Sequence, residues 1–135
     1  MTAPSRSATP SGAPSRDPDE AMVHAMCAAA DAGDAERFAS YFAETAVYRF
    51  ANQEPITGRS AIARATASTV HLVWPVHHQV DQVAKVGAQL FCRFTIQVEK
   101  PDGSTPSMPC VTVIERRNGL IVDYRVHMDI TPGLR

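Results

Sequence analysis

The chain lacks any excess of positive charge: 13 Lys and Arg stand against 14 Asp and Glu, for a formal net charge of −1. Polyanions are held by concentrated basic patches, so nucleic acid and an anionic membrane surface are not expected partners. Cysteine is scarce as well. Cys27, Cys92 and Cys110 lie far apart and form no Cys-x-x-Cys pair. An odd number without short spacings argues against a disulfide framework or a zinc knuckle and fits a reducing cytoplasm, with the three read as buried small hydrophobes. His71, His77 and His78 lack the spacing and accompanying carboxylates of a metal site, so no metal is expected. No apolar run approaches the ~20 residues that a membrane-crossing helix needs. The opening stretch holds Arg6 and Arg16 but no apolar segment, which leaves a secretory signal without its central part. These absences point to a cytoplasmic protein whose partner is a small molecule or another protein.

What is present is enough for one domain. At 135 residues, with 44% hydrophobic and 20% charged, the chain can bury a core without staples and has no room for a second one. Residues 1 to 16 are mostly Ser, Thr, Pro, Ala and Gly and offer nothing to bury, so they are expected to form a disordered leader ahead of a domain spanning residues 17 to 135. Deleting the leader should leave stability unchanged within about 0.5 kcal/mol, read as an unshifted thermal melt; a clear drop would overturn that reading.

Asp17-Pro-Asp-Glu20 is a helix start, with Asp17 as N-cap, Pro18 at the first helical position and Glu20 placed as in a capping box. Met22, Val23, Met26, Cys27 and Ala30 give this helix one apolar face up to Gly33. Asp34 caps a shorter helix ending near Ala43. A strand follows over residues 46 to 52, then a break over 53 to 58, then a third helix capped by Ser60. From Trp74 onward the pattern has period two. The segments 76–86, 89–100, 107–117 and 120–130 read as four long strands joined by short turns, the last of them Asn118-Gly119. Helices first and strands after give an α+β domain, a curved antiparallel sheet wrapped on three N-terminal helices with a pocket at one end. In the closing strand Arg125, His127 and Asp129 share one face, and Tyr124, Val126 and Met128 the other.

The stretches Tyr48–Ile62, His78-Gln-Val80 and Gly119–Pro132, in this order of elements, resemble the SnoaL-like branch of the nuclear transport factor two-like superfamily. The resemblance runs from about Asp17 to Pro132 and implies an α+β cone with a deep, mostly apolar pocket. Its members include polyketide cyclases, ketosteroid isomerases, dehydratases and limonene-type epoxide hydrolases, as well as binders without turnover. The epoxide hydrolase pattern is broken here. Asn52 and Arg93 match it, but Phe50 stands in place of a tyrosine, and Thr95 and Val126 occupy its two aspartate positions. An epoxide opened by water needs an acid and a base, so that reaction is discounted. His78 resembles the histidine of the dehydratases, while Asp81 and Asp129 match no ketosteroid isomerase carboxylate securely.

The resemblance therefore implies a cofactor-independent enzyme that moves a proton within a hydrophobic oxygenated molecule, by isomerisation, cyclisation or dehydration. His78 is its expected acid or base, since imidazole titrates near neutrality. Tyr48, Asn52 and Arg93 would polarise a substrate oxygen beside Phe50, Phe91, Thr95 and Val126. Each has a plainer alternative: His78 as a hydrogen-bonded wall residue, Tyr48 as a core tyrosine, Arg93 as a structural ion pair with Asp129, Glu115 or Glu99. Asp129 is a catalytic candidate only if the strand end turns it inward; otherwise it joins Arg125 and His127 on an outer face expected to form a homodimer. A non-catalytic binder of the same fold, or a protein-interaction subunit, stays open beside the enzyme.

Overall fold

The protein is described by a computed structural model over residues 17–135; the expected leader lies outside the described residues. Helix α1, Pro18–Asp31, begins as its capping chemistry dictates, with the Asp17 carboxylate accepting from the Asp19 amide at 2.8 Å and Pro18 fixing the first-turn φ. It ends at Ala32 and Gly33, whose φ of +74° suits a residue without Cβ. Asp34 caps α2, Ala35–Ala39, by accepting from the Arg37 amide at 3.1 Å.

Helix α2 is shorter than expected because Phe42 and Ala43 belong to strand β1, Phe42–Phe50. Phe42 registers with Ile121 and is fully buried, so packing overrides the helical spacing of Phe38, Tyr41 and Phe42. Ala51, at φ +51°, turns the chain before Asn52. A two-residue strand β2, Ile56–Thr57, then pairs back on β1 in a stretch that Pro55 and Gly58 make look like a break. Helix α3, Arg59–Ser68, runs into a 3-10 turn, Thr69–His71, and a second 3-10 turn, Thr131–Gly133, follows the last strand.

Strands β3 (Val76–Val86), β4 (Gln89–Val98), β5 (Ser107–Arg117) and β6 (Leu120–His127) fall inside the four expected segments. Asn118 and Gly119 both have positive φ, 54° and 79°, as the two central residues of a type I′ hairpin turn must. The six strands of the described residues form one sheet in the order β2-β1-β6-β5-β4-β3. β3 to β6 make the expected antiparallel meander, but β1 runs parallel to β6, with Tyr48 opposite Tyr124. The sheet is therefore mixed rather than wholly antiparallel. Alternation fixes which residues share a face, but not the direction of a neighbour reached after a long connection.

The curved, unclosed sheet wraps over the helices as an α+β cone. Its inner face supplies Leu90, Phe94, Ile96 and Val98 from β4, Met108 and Ile114 from β5, and Ile121 from β6, against Val23 and Met26 of α1 and Ile62 of α3. Each such side chain contributes about 1.5–3 kcal/mol on burial. At one end Asp19 of α1, 4% exposed, is clamped by Lys85 at 2.9 Å and by Arg116. The other end is not filled. No helix among the described residues is long and apolar enough to cross a membrane.

Candidate functional site

At the unfilled end the helices and sheet enclose a cavity of about 240 Å³. Its walls come from the inner parities of the strands: Tyr48 and Phe50 of β1, His78 of β3, Ile96 of β4, Cys110 and Thr112 of β5, Tyr124 and Val126 of β6. Phe38 of α2, Thr66 of α3, and Leu72, Met128 and Leu134 complete it.

The strongest polar feature is a contact between the end of α1 and strand β3. Asp31, the last residue of α1, takes the His78 backbone amide on Oδ2 at 2.9 Å and meets His78 Nδ1 through Oδ1 at 2.6 Å. Both side chains are about one-fifth exposed (20% and 19%), and Phe94 abuts the imidazole edge-on at 5.7 Å. A carboxylate accepts only, so it selects the tautomer with the proton on Nδ1 and leaves Nε2 as the free lone pair of a residue that lines the cavity. His77, 69% exposed, also reaches Asp31, with Nδ1 at 3.3 Å from Oδ2. It therefore lies on the solvent side of the carboxylate, as its parity predicts.

Tyr48 and Tyr124, register partners on neighbouring strands, stack at 5.4 Å and 11°. Neither hydroxyl has a protein partner among the described residues, and both side chains line the cavity. Burial pushes both phenols well above their ordinary pKa, so they remain hydrogen-bond donors across the physiological range. The thiols are free and buried, as expected; burial raises Cys110 at the wall and pushes Cys92 up to about 12, which leaves them unreactive.

Of the expected site residues, the structure brings Tyr48, Phe50, His78 and Val126 to one cavity and leaves five outside it. Phe91, Arg93 and Thr95 lie on the outer face of β4, because Leu90, Cys92, Phe94, Ile96 and Val98 take the inner one. Thr95 is tied there, its hydroxyl donating to Asp81 at 2.7 Å. Arg93 pairs with none of Asp129, Glu115 or Glu99 among the described residues. Asn52 is exposed in the turn after β1, and Gln53 reaches the cavity instead. Asp129 lies beyond β6 and caps the turn at Thr131, whose amide and hydroxyl donate to it at 3.0 and 2.6 Å. Those bonds hold its carboxyl below the usual range, the opposite of what a base near neutrality requires.

Sequence reasoning missed Asp31, Tyr124 and Thr112. Asp31 carried a readable signal. An anion in the last turn of a helix meets the negative end of the helix dipole, and α1 has no basic residue there to offset it. Such a residue calls for a partner elsewhere, and His78 is that partner.

The sequence matches a family model, the SnoaL-like domain, over residues 23–124. No curated protein is matched by the sequence. Among solved structures it is similar to a candidate polyketide cyclase from Xanthomonas campestris pv. campestris, at 16% identity and a TM-score of 0.72, over 84% of this chain and 91% of that one. A candidate isomerase from Bacillus subtilis is similar at 19% identity and a TM-score of 0.69, over 81% and 84%. A hypothetical protein of ketosteroid isomerase-like fold from Catenulispora acidiphila, in complex with trimethylamine, is similar at 19% identity and a TM-score of 0.71, over 78% and 83%. At these identities the structures speak for the fold alone. The family model covers most of the domain, the cone and its cavity are those expected of it, and the chain belongs to the SnoaL-like domain family.

Proposed function

We propose that the protein is an enzyme that moves a proton within a hydrophobic oxygenated small molecule, with His78 as general base or acid and Asp31 as the residue that orients it. Tyr48 and Tyr124 donate to the substrate oxygen on which negative charge develops. The observation that carries this reading is the two-point hold of Asp31 on His78, backbone amide and imidazole together, in the wall of an apolar cavity. A wall histidine kept only for packing needs no carboxylate to fix its tautomer. Candidate cyclases and isomerases on the same fold lend support. Isomerisation, aldol-type cyclisation and dehydration all begin with such a proton transfer, and the transfer itself needs no redox or group-carrying cofactor.

The test uses a neutral proton donor that reports on any positioned base, nitrobenzisoxazole. The base takes the ring C–H proton, the N–O bond breaks, and a coloured cyanophenolate is released. Saturable elimination above the buffer rate is expected. An elimination rate no higher than buffer, with the cavity shown by nuclear magnetic resonance to hold the probe, would overturn the enzyme in favour of a binder.

We also propose that two copies pair through the outer face of the sheet, where Phe91 and Val111 are 38% and 40% exposed beside Arg125 and His127. Light scattering should give a dimer at micromolar concentration; a monomer there would count against it.

A further inference from the structure

We infer that the cavity takes an uncharged carbonyl compound of one or two rings and turns away carboxylates and phosphates of the same size; this rests on the cavity being the substrate site. Among the described residues no Lys or Arg lines it, and its formal charge there is that of Asp31 behind His78 and of Asp34, which stands exposed in the wall. Arg49 and Arg135 each adjoin a lining residue in the chain, Phe50 and Leu134. Arg49 donates from Nε to the Gln53 carbonyl at 3.2 Å, and Arg135 donates from Nε to the Val70 carbonyl at 2.7 Å while lying 4.1 Å over Trp74. Both are exposed, so their charge is screened by water before it reaches the interior. An anion entering the cavity loses its hydration, gains no counter-charge from the described walls and meets the partly buried Asp31 carboxylate, while the exposed Asp34 is screened by water as the two arginines are.

A carbonyl oxygen meets the reverse situation. The Tyr48 and Tyr124 hydroxyls have no partner within the described protein and can donate to it without breaking another bond. Phe38, Phe50 and the stacked tyrosines offer flat apolar faces to a ring. Size sets the upper limit: about 240 Å³ falls below the ~300–1,000 Å³ of sites that enclose drug-sized ligands, so a fused four-ring skeleton exceeds it.

The experiment titrates the isotope-labelled protein at neutral pH with three probes, acetophenone, benzoate and androstenedione, following the methyl resonances of Ile96 and Met128 in the cavity wall. Acetophenone should shift them saturably, benzoate should bind at least roughly tenfold more weakly, and the steroid ketone should leave them in place. Benzoate binding as tightly as acetophenone, or a steroid that saturates the cavity, would overturn the inference. So would an acetophenone titration that moves neither methyl while nitrobenzisoxazole is turned over, an outcome that leaves the proton-transfer reading standing. The converse pair of results, acetophenone preferred over benzoate but no elimination, would keep the charge and size selection and remove the catalytic reading.

Discussion

Replacing His78 by Ala is expected to cut elimination of nitrobenzisoxazole by about 10²- to 10⁴-fold, the range that a positioned acid–base group contributes. The fold should survive. The imidazole is partly exposed and makes one edge contact with Phe94, and β3 is held by its ladder to β4, in which His78 registers with Ile96. An Asp31→Asn change separates positioning from chemistry. The amide can offer an N–H as well as an oxygen, so the imidazole is no longer held in the tautomer that leaves Nε2 bare. A loss of about 10²-fold is expected with the substrate-binding term little changed, because nothing that touches the substrate is removed. The nitrogen shifts of the His78 ring report the same event independently: one tautomer in the natural protein, a mixture in the variant. Full activity in His78→Ala, or an unaltered tautomer in Asp31→Asn, would remove the proposed role of the pair.

Much of this arrangement is written in local pattern, and its failures are instructive. The approximate extents of β3 to β6, the Asn118-Gly119 turn, the Asp17 and Asp34 caps and the shared parity of Tyr124, Val126 and Met128 follow from alternation, turn chemistry and capping, whereas the start of β1 and the whole of β2 do not. Arg93 is the opposite lesson. Leu90, Cys92, Phe94, Ile96 and Val98 form an unbroken apolar parity, which puts Phe91, Arg93 and Thr95 on the outer face whatever a family pattern places there. In β3 the period is interrupted by a bulge between Val80 and Gln82, so Val76, His78 and Val80 share one parity while Val83 packs inward from the other. No pattern in a single sequence marks that shift. The Asp31–His78 contact spans 47 residues, and distance of that kind is legible only as an anomaly at one end, here a carboxylate at the wrong terminus of a helix.

Asp19 is the other residue whose loss should be large. It is 4% exposed, held by Lys85 at 2.9 Å and by Arg116, whose Nε is buried without a hydrogen-bond partner among the described residues. Removing the carboxylate leaves Arg116 partly buried and uncompensated, and breaking a buried pair from one side costs about 3 kcal/mol, at the lower end of the usual range because Lys85 can turn to water. Asp19→Ala is therefore expected to melt roughly 10 °C lower. The double change Asp19→Ala with Arg116→Met should recover most of the loss, since it removes the stranded cation and adds apolar volume. A single variant that loses under about 1 kcal/mol, or a double variant no better than the single, would show that the charges are solvated rather than clamped. Activity below the melting transition gives the final discrimination. Asp19 and Asp31 stand at opposite ends of α1, about 18 Å apart at the helical rise, and Asp31 is fixed independently by the His78 amide. Turnover per folded molecule should thus be unchanged in Asp19→Ala, and a proportional loss of activity would mean that the charge clamp and the His78 site form one cooperative unit.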